Sequence, residues 1–160
     1  MRAISELMLD KISKTEFLKL NGVTHIDEAT KCGLEAAYEK RDAENVEDFI
    51  YLIFKFEILN DKYVDILNNL LVSKWHYKHE DIVILLQKIS SEKSIKYLYD
   101  AIELHPEYLE WDDNYAFEVK CVRAIYHIGM EKSYSYLEEL CIHPNAVIRD
   151  MAQRQLKKLQ

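Results

Sequence analysis

The chain has 160 residues, of which only three are glycine and two proline, about 3% where soluble proteins average roughly 12%. That supply cannot furnish the regular turns of a β-sandwich or barrel, nor the glycine-rich phosphate loops of dinucleotide and P-loop folds. A 49% apolar content excludes disorder, the longest apolar run (Phe49 to Phe54) is far short of the ~20 residues of a bilayer helix, and the net charge of −7 disfavours binding to phosphate backbones.

In chain order the pattern is helical almost throughout. Residues 2–12 predict a short amphipathic helix with Ile4, Leu7, Met8 and Ile12 on one face. Ser13 and Glu16 have capping-box spacing for a second helix over 14–20, stopped by Asn21-Gly22. Asp27 is placed to cap a third, running to about Arg41, with Ala29, Cys32, Ala36 and Ala37 as close-packing small residues. Residues 44–59 carry Val46, Phe49, Ile50, Ile53, Phe54 and Ile58 and predict a buried central helix; another spans Tyr63 to Val72. Trp75-His76-Tyr77 marks a junction, and His79 and Glu80 open the next helix.

From there the chain repeats. At an offset of 39, Ile89-x-x-Glu92-Lys93-Ser94-x-x-Tyr97-Leu98 aligns with Ile128-x-x-Glu131-Lys132-Ser133-x-x-Tyr136-Leu137, and Ile82, Val83, Leu85 and Leu86 align with Cys121, Val122, Ala124 and Ile125. A truncated third copy holds Ile148, Arg149, Ala152, Leu156 and Leu159. Identity at both polar and apolar positions marks an internal repeat whose unit is an antiparallel helix pair. Gly129 ends a helix where positive φ is wanted; Pro144 ends another, and Asn145 is a good cap for the last.

These residues resemble the HEAT repeat, whose first helix carries a Val-Arg-x-x-Ala-x-x-Ala-Leu-x-x-Ile-Gly pattern. Phe117, Cys121, Ala124, Ile125, Ile128 and Gly129 occupy those positions in one copy, and Ile148, Arg149, Ala152 and Leu156 in the next. The resemblance covers about residues 78–160. It implies an all-α fold, a right-handed α-solenoid of HEAT-like antiparallel helix pairs. The whole chain reads as one domain, with N-terminal helices over 1–74 and repeats over 75–160. Glu118 stands where the family has its arginine, so the polar ladder that arginine usually joins is expected to be interrupted.

Charge is unevenly distributed. Residues 1–96 sum to −3 and residues 120–160 to +3, whereas 97–119 hold no Lys or Arg and seven acids: Asp100, Glu103, Glu107, Glu110, Asp112, Asp113 and Glu118. Tyr99, Tyr108, Trp111 and Tyr115 are interleaved with them. Much of this window is an insert between two repeats, beginning at His105-Pro106, and inserts in such arrays often bind partners. Acids alone read as a solvated face; aromatics among them are typical anchors of a binding surface.

No catalytic set emerges. His76-x-x-His79-Glu80 shares a helix face but matches no zinc signature and lacks a third ligand at a recognisable distance; no Glu-x-x-His, nucleophile elbow or oriented Cys/His pair is present. The chain is therefore expected not to be an enzyme and to need neither cofactor nor metal. Cys32, Cys121 and Cys141 lack metal or disulfide spacing, and the N-terminal residues lack a secretory pattern, which together predict a cytoplasmic protein.

The second half, from Leu71 through Trp75-His76, His79-Glu80-Asp81 and Trp111-Asp112-Asp113, also resembles small bacterial HEAT-like immunity proteins of contact-dependent growth-inhibition and related toxin systems. That resemblance implies an antidote that binds and neutralises a cognate toxin C-terminal domain, a basic nuclease being the partner the acidic window suits, with no nucleic-acid or membrane partner. The contact set it implies is Trp75, His76, Tyr77, Glu80, Asp81, Tyr108, Trp111, Asp112, Asp113, Tyr115 and Glu118. The alternative is a HEAT-like scaffold or adaptor binding host proteins.

Overall fold

Capping chemistry and left-handed residues set the helix boundaries. In a computed structural model, which describes residues 1–109, 111, 114–129 and 131–158, the chain forms ten α-helices and three 3₁₀ turns, with no strand among the described residues. None of these helices is long and apolar enough to cross a membrane. Two compact units are distinguished, Met1–Ile58 and Leu59–Gln160.

The first unit holds α1 (Ile4–Met8), α2 (Lys14–Asn21), α3 (Ile26–Lys40) and α4 (Ala43–Lys55). The Ser13–Glu16 capping box forms as expected, and Asp42 caps α4 by accepting from the Asn45 N–H at 3.0 Å. Asp27 lies inside the first turn of α3, whose cap position is taken by His25. Four helices close with the same pair of backbone bonds around a left-handed residue: Asp10 after α1, Gly22 after α2, Arg41 after α3 and Glu57 after α4. Three of those residues are not glycine, so α1 and α4 stop short of the boundaries their apolar patterns suggest.

Leu7, Phe17, Leu34, Val46, Ile50, Leu52 and Ile53 form the centre of this unit, each at most 1% exposed. Cys32 is exposed; the close contact between α3 and α4 is made instead by Gly33, where an added Cβ would lie 2.1 Å from Cζ of Phe49. Phe49 is itself buried, so its ring occupies the space that a side chain at residue 33 would need.

The second unit holds α5 (Val64–Leu71), α6 (His79–Ile89), α7 (Ile95–Ile102), α8 (Ala116–Ile128), α9 (Glu131–Leu140) and α10 (Ala146–Leu156). Helices α6, α8 and α10 pack side by side in one layer, and α5, α7 and α9 in a second; across the layers α5 meets α6, α7 meets α8, and α9 meets α10. Helix α5 is preceded by a 3₁₀ turn at Asp61–Tyr63 and α7 by one at Glu92–Ser94, reading Asp-Lys-Tyr and Glu-Lys-Ser, and α9 opens with Glu131-Lys132-Ser133. The second-helix motif thus occurs three times, one occurrence upstream of the repeat visible at offset 39. Equivalent positions are equivalently buried: Tyr63, Ser94 and Ser133 are fully buried, and so are Leu67, Leu98 and Leu137.

Stacking is registered by polar contacts that all join residues 40 apart. Lys120 donates to Glu80 at 2.6 Å, Lys132 to Glu92 at 2.9 Å, and the Tyr99 hydroxyl to Glu139 at 2.9 Å, while His143 Nε2 lies 2.8 Å from Glu103. All four lie between the α6–α7 segment and the α8–α9 segment, whose equivalent residues are 39 apart, so each contact reaches one residue past its equivalent. Arg149 donates to the carbonyls of His143 and Pro144 and ties down its own turn. Gly129, at φ 74° and ψ −168°, occupies a conformation open essentially only to glycine, and Asn145 caps α10 through its side-chain oxygen.

Candidate partner-binding surface

The α5–α6 connection and the insert between α7 and α8 are joined by an aromatic and imidazole cluster. His76 and His79 are both fully buried, with rings stacked 4.3 Å apart at 18°. His76 Nε2 lies 2.7 Å from the Leu70 carbonyl at the end of α5, and its Nδ1 accepts the Lys78 N–H at 3.1 Å. His79 Nε2 lies 2.8 Å from the Ser73 carbonyl, and its Nδ1 faces the Tyr108 hydroxyl at 3.0 Å. Carbonyls only accept, so both rings carry a proton on Nε2, and His76, whose Nδ1 accepts an N–H, is neutral. Both nitrogens of each ring are thus hydrogen-bonded within the fold.

Burial is the main reason that both imidazoles resist protonation: His76 is held below the ordinary 6.5, and His79 is pushed down to about 4, with the neighbouring His76 adding to the effect. Tyr108 reaches into this cluster from the insert. Its hydroxyl donates to His79 Nδ1 and accepts the His79 backbone N–H at 3.3 Å, and burial pushes its pKa up to about 12. Phe117, opening α8, closes the cluster edge-on to His79 at 5.7 Å. Tyr108 thereby fastens the insert to the start of α6.

What remains at the surface is narrower than the expected contact set. Trp111 is 92% exposed and Tyr77 66% exposed, the latter standing edge-on to Tyr108 at 5.4 Å. Trp75 is partly buried and stands edge-on to His76. Glu80 pairs with Lys120, and Asp81 with Lys78 at 3.6 Å. Glu118 is only 7% exposed, its carboxylate 3.4 Å from His105 Nδ1, and Tyr115 caps α8 from the left-handed region. Asp112 and Asp113 lie outside the described residues, as does Glu110. Of the other acids in the window, Asp100 is bonded to Lys96 and Glu103 to His143, while Glu107 is exposed in the 3₁₀ turn Glu107–Leu109.

Accordingly the structure brings Trp75, His76, Tyr77 and Tyr108 together, and it buries the His76 ring and the Glu118 carboxylate inside the fold. His79, absent from the expected set, is what holds Tyr108, and Phe117, also absent from it, stands edge-on to His79. The sequence signal for them was available in the adjacency of His79 to the Trp75-His76-Tyr77 junction and in the apolar start of α8. Compared with protein-family models, curated proteins and solved structures, the chain matches none.

Proposed function

We propose that residues 59–160 form a right-handed HEAT-like α-solenoid and that the protein is an immunity factor, neutralising a basic toxin domain by binding it through the insert. Two helix layers, and four polar contacts that each join residues 40 apart, support the solenoid reading. The observation that carries the binding role is Trp111, an indole 92% exposed on an insert that Tyr108 fastens to the body of the unit. Burying such a side chain against a partner is worth on the order of 4 kcal/mol, so a tryptophan held out in water is a candidate anchor. Tyr77 adds a second exposed aromatic, and the acids around Trp111 in sequence would steer a basic partner and select it over others.

The test is co-expression with the product of the adjacent upstream gene, followed by size-exclusion chromatography with mass determination. A stoichiometric complex that is lost when Trp111, Asp112 and Asp113 are replaced together by alanine, with helical content unchanged, is the expected result. Separate elution would refute the immunity reading and leave the scaffold reading in its place; a complex indifferent to the triple variant would refute this surface.

A further inference from the structure

At the far side of the same unit the charge reverses. Helices α8 and α10 flank an open cleft of about 570 Å³, lined by the exposed side chains of Arg123 and His127 on α8 and of Arg154, Lys157 and Lys158 in the last turn of α10 and the residues after it. Four of the seven Lys and Arg residues beyond position 119 line this one cleft, and no Asp or Glu lines it among the described residues. In a chain of net charge −7, a gathering of cations with no carboxylate lining it is a local reversal of the molecule's charge and attracts an anion.

Part of the cleft is also pre-organised. Lys158 is held twice, by donating to the Gln155 side-chain oxygen at 3.2 Å and by standing 5.4 Å from the centre of the Tyr126 ring. Gln155, only 5% exposed, lines the wall, and its amide N–H has found the soft acceptor Met151 Sδ at 3.2 Å. The wall therefore offers an amide donor whose bond to sulfur is easily exchanged for one to oxygen. Arg123 and Arg154 supply planar forks suited to paired phosphate oxygens, and Lys158 a fixed point charge.

We propose that the α8–α10 cleft binds a compact ligand bearing a di- or triphosphate group, independently of the partner surface on the insert. The confinement of the cations to one cleft, in a chain of net charge −7, favours a compact anion over a nucleic-acid strand, which needs a basic stripe along its length. The volume also falls within the range of small-ligand sites, roughly 300–1,000 Å³.

The test is isothermal titration calorimetry of the full chain with inorganic triphosphate and, separately, with ATP, at about 0.15 M salt. Saturable binding with Kd below about 1 mM, weakened at least about tenfold in the exposed double variant R123Q/R154Q, is expected. Tighter binding of ATP assigns the site to a nucleotide, and equal binding to a free polyphosphate. Shifts of the Arg123 and Arg154 side-chain N–H resonances on adding triphosphate to the unmodified protein make the same test without substitution. Absence of heat and of shifts at millimolar triphosphate overturns the proposal, as does equal affinity in the double variant. Binding of a short DNA duplex more tightly than triphosphate, lost in that variant, would also overturn it, in favour of nucleic acid.

Discussion

Acidification should loosen the second unit through two histidines, well above the pH at which carboxylates titrate. His79 resists protonation down to about 4 in the fold and takes a proton near 6.5 once unfolded. Above pH 6.5 both states hold a neutral ring and the full stability is present. Below it the unfolded chain binds a proton that the folded chain refuses, so stability falls as pH drops from 6.5 and levels off near 4. At ~1.4 kcal/mol for each tenfold difference in proton affinity, the loss from His79 totals about 3 kcal/mol, of which about 2 kcal/mol is gone by pH 5. His76, shifted the same way, adds to it. Both tryptophans of the chain, Trp75 and Trp111, belong to this unit, so urea unfolding followed by tryptophan emission reports on it specifically. A urea midpoint lower by about 1 M or more at pH 5 than at pH 7 is expected, and a variant with His76→Gln and His79→Gln should show much less change. In the native protein, emission of Trp75, edge-on to His76 at 5.4 Å, should show its quenching step below pH 6.5. Equal midpoints at the two pH values, or an equal loss in the double variant, would refute the assignment of these rings as buried and neutral. Glu16 and Asp42, whose carboxyls are held below their ordinary range by capping bonds, lose their contribution only at lower pH and lie in the other unit.

Further substitutions test individual contacts. Gly33→Ala should destabilise the first unit by about 1–3 kcal/mol in thermal or urea unfolding, because Phe49 occupies the site of the new methyl, although helix propensity alone would favour alanine by ~1 kcal/mol. Glu57→Gly, at a left-handed position exposed to solvent, should be neutral to stabilising by up to about 1 kcal/mol, measured the same way. Tyr108→Phe leaves the His79 Nδ1 and N–H without their partner and should cost about 1–3 kcal/mol, with faster limited proteolysis within 103–115 as the local readout. Lys132→Ala removes an exposed pair with Glu92 and should leave the urea midpoint essentially unchanged.

How far the sequence carried the fold depended on which physical term dominated at each place. Helix identity was legible wherever apolar periodicity met a polar cap, as at Ser13 and Asn145, because both signals are local. The ends of α1 and α4 were not, since Asp10 and Glu57 adopt the left-handed conformation without being glycine and their cost is met by tertiary burial of neighbours such as Ile58. Cys32 and Gly33 differ by one residue and about 100° around the helix; only the partner helix decides which faces inward. The same limit governs the surface. Composition located a charged, aromatic window, but whether a side chain in it faces water or the core is set by contacts across the fold. Tyr108 and Trp111, three residues apart in one acidic segment, end in opposite roles because His79 supplies a buried acceptor for a hydroxyl and nothing comparable for an indole. The basic cleft was foreshadowed by the +3 of residues 120–160, yet its cations come from positions as far apart as 123 and 158, and only the packing of α10 on α8 brings them together. Buried histidines make the point most sharply. A His-x-x-His spacing reads in sequence as a possible ligand pair, whereas two carbonyls at helix and turn ends turn it into a pair of neutral donors that fasten one turn to the next.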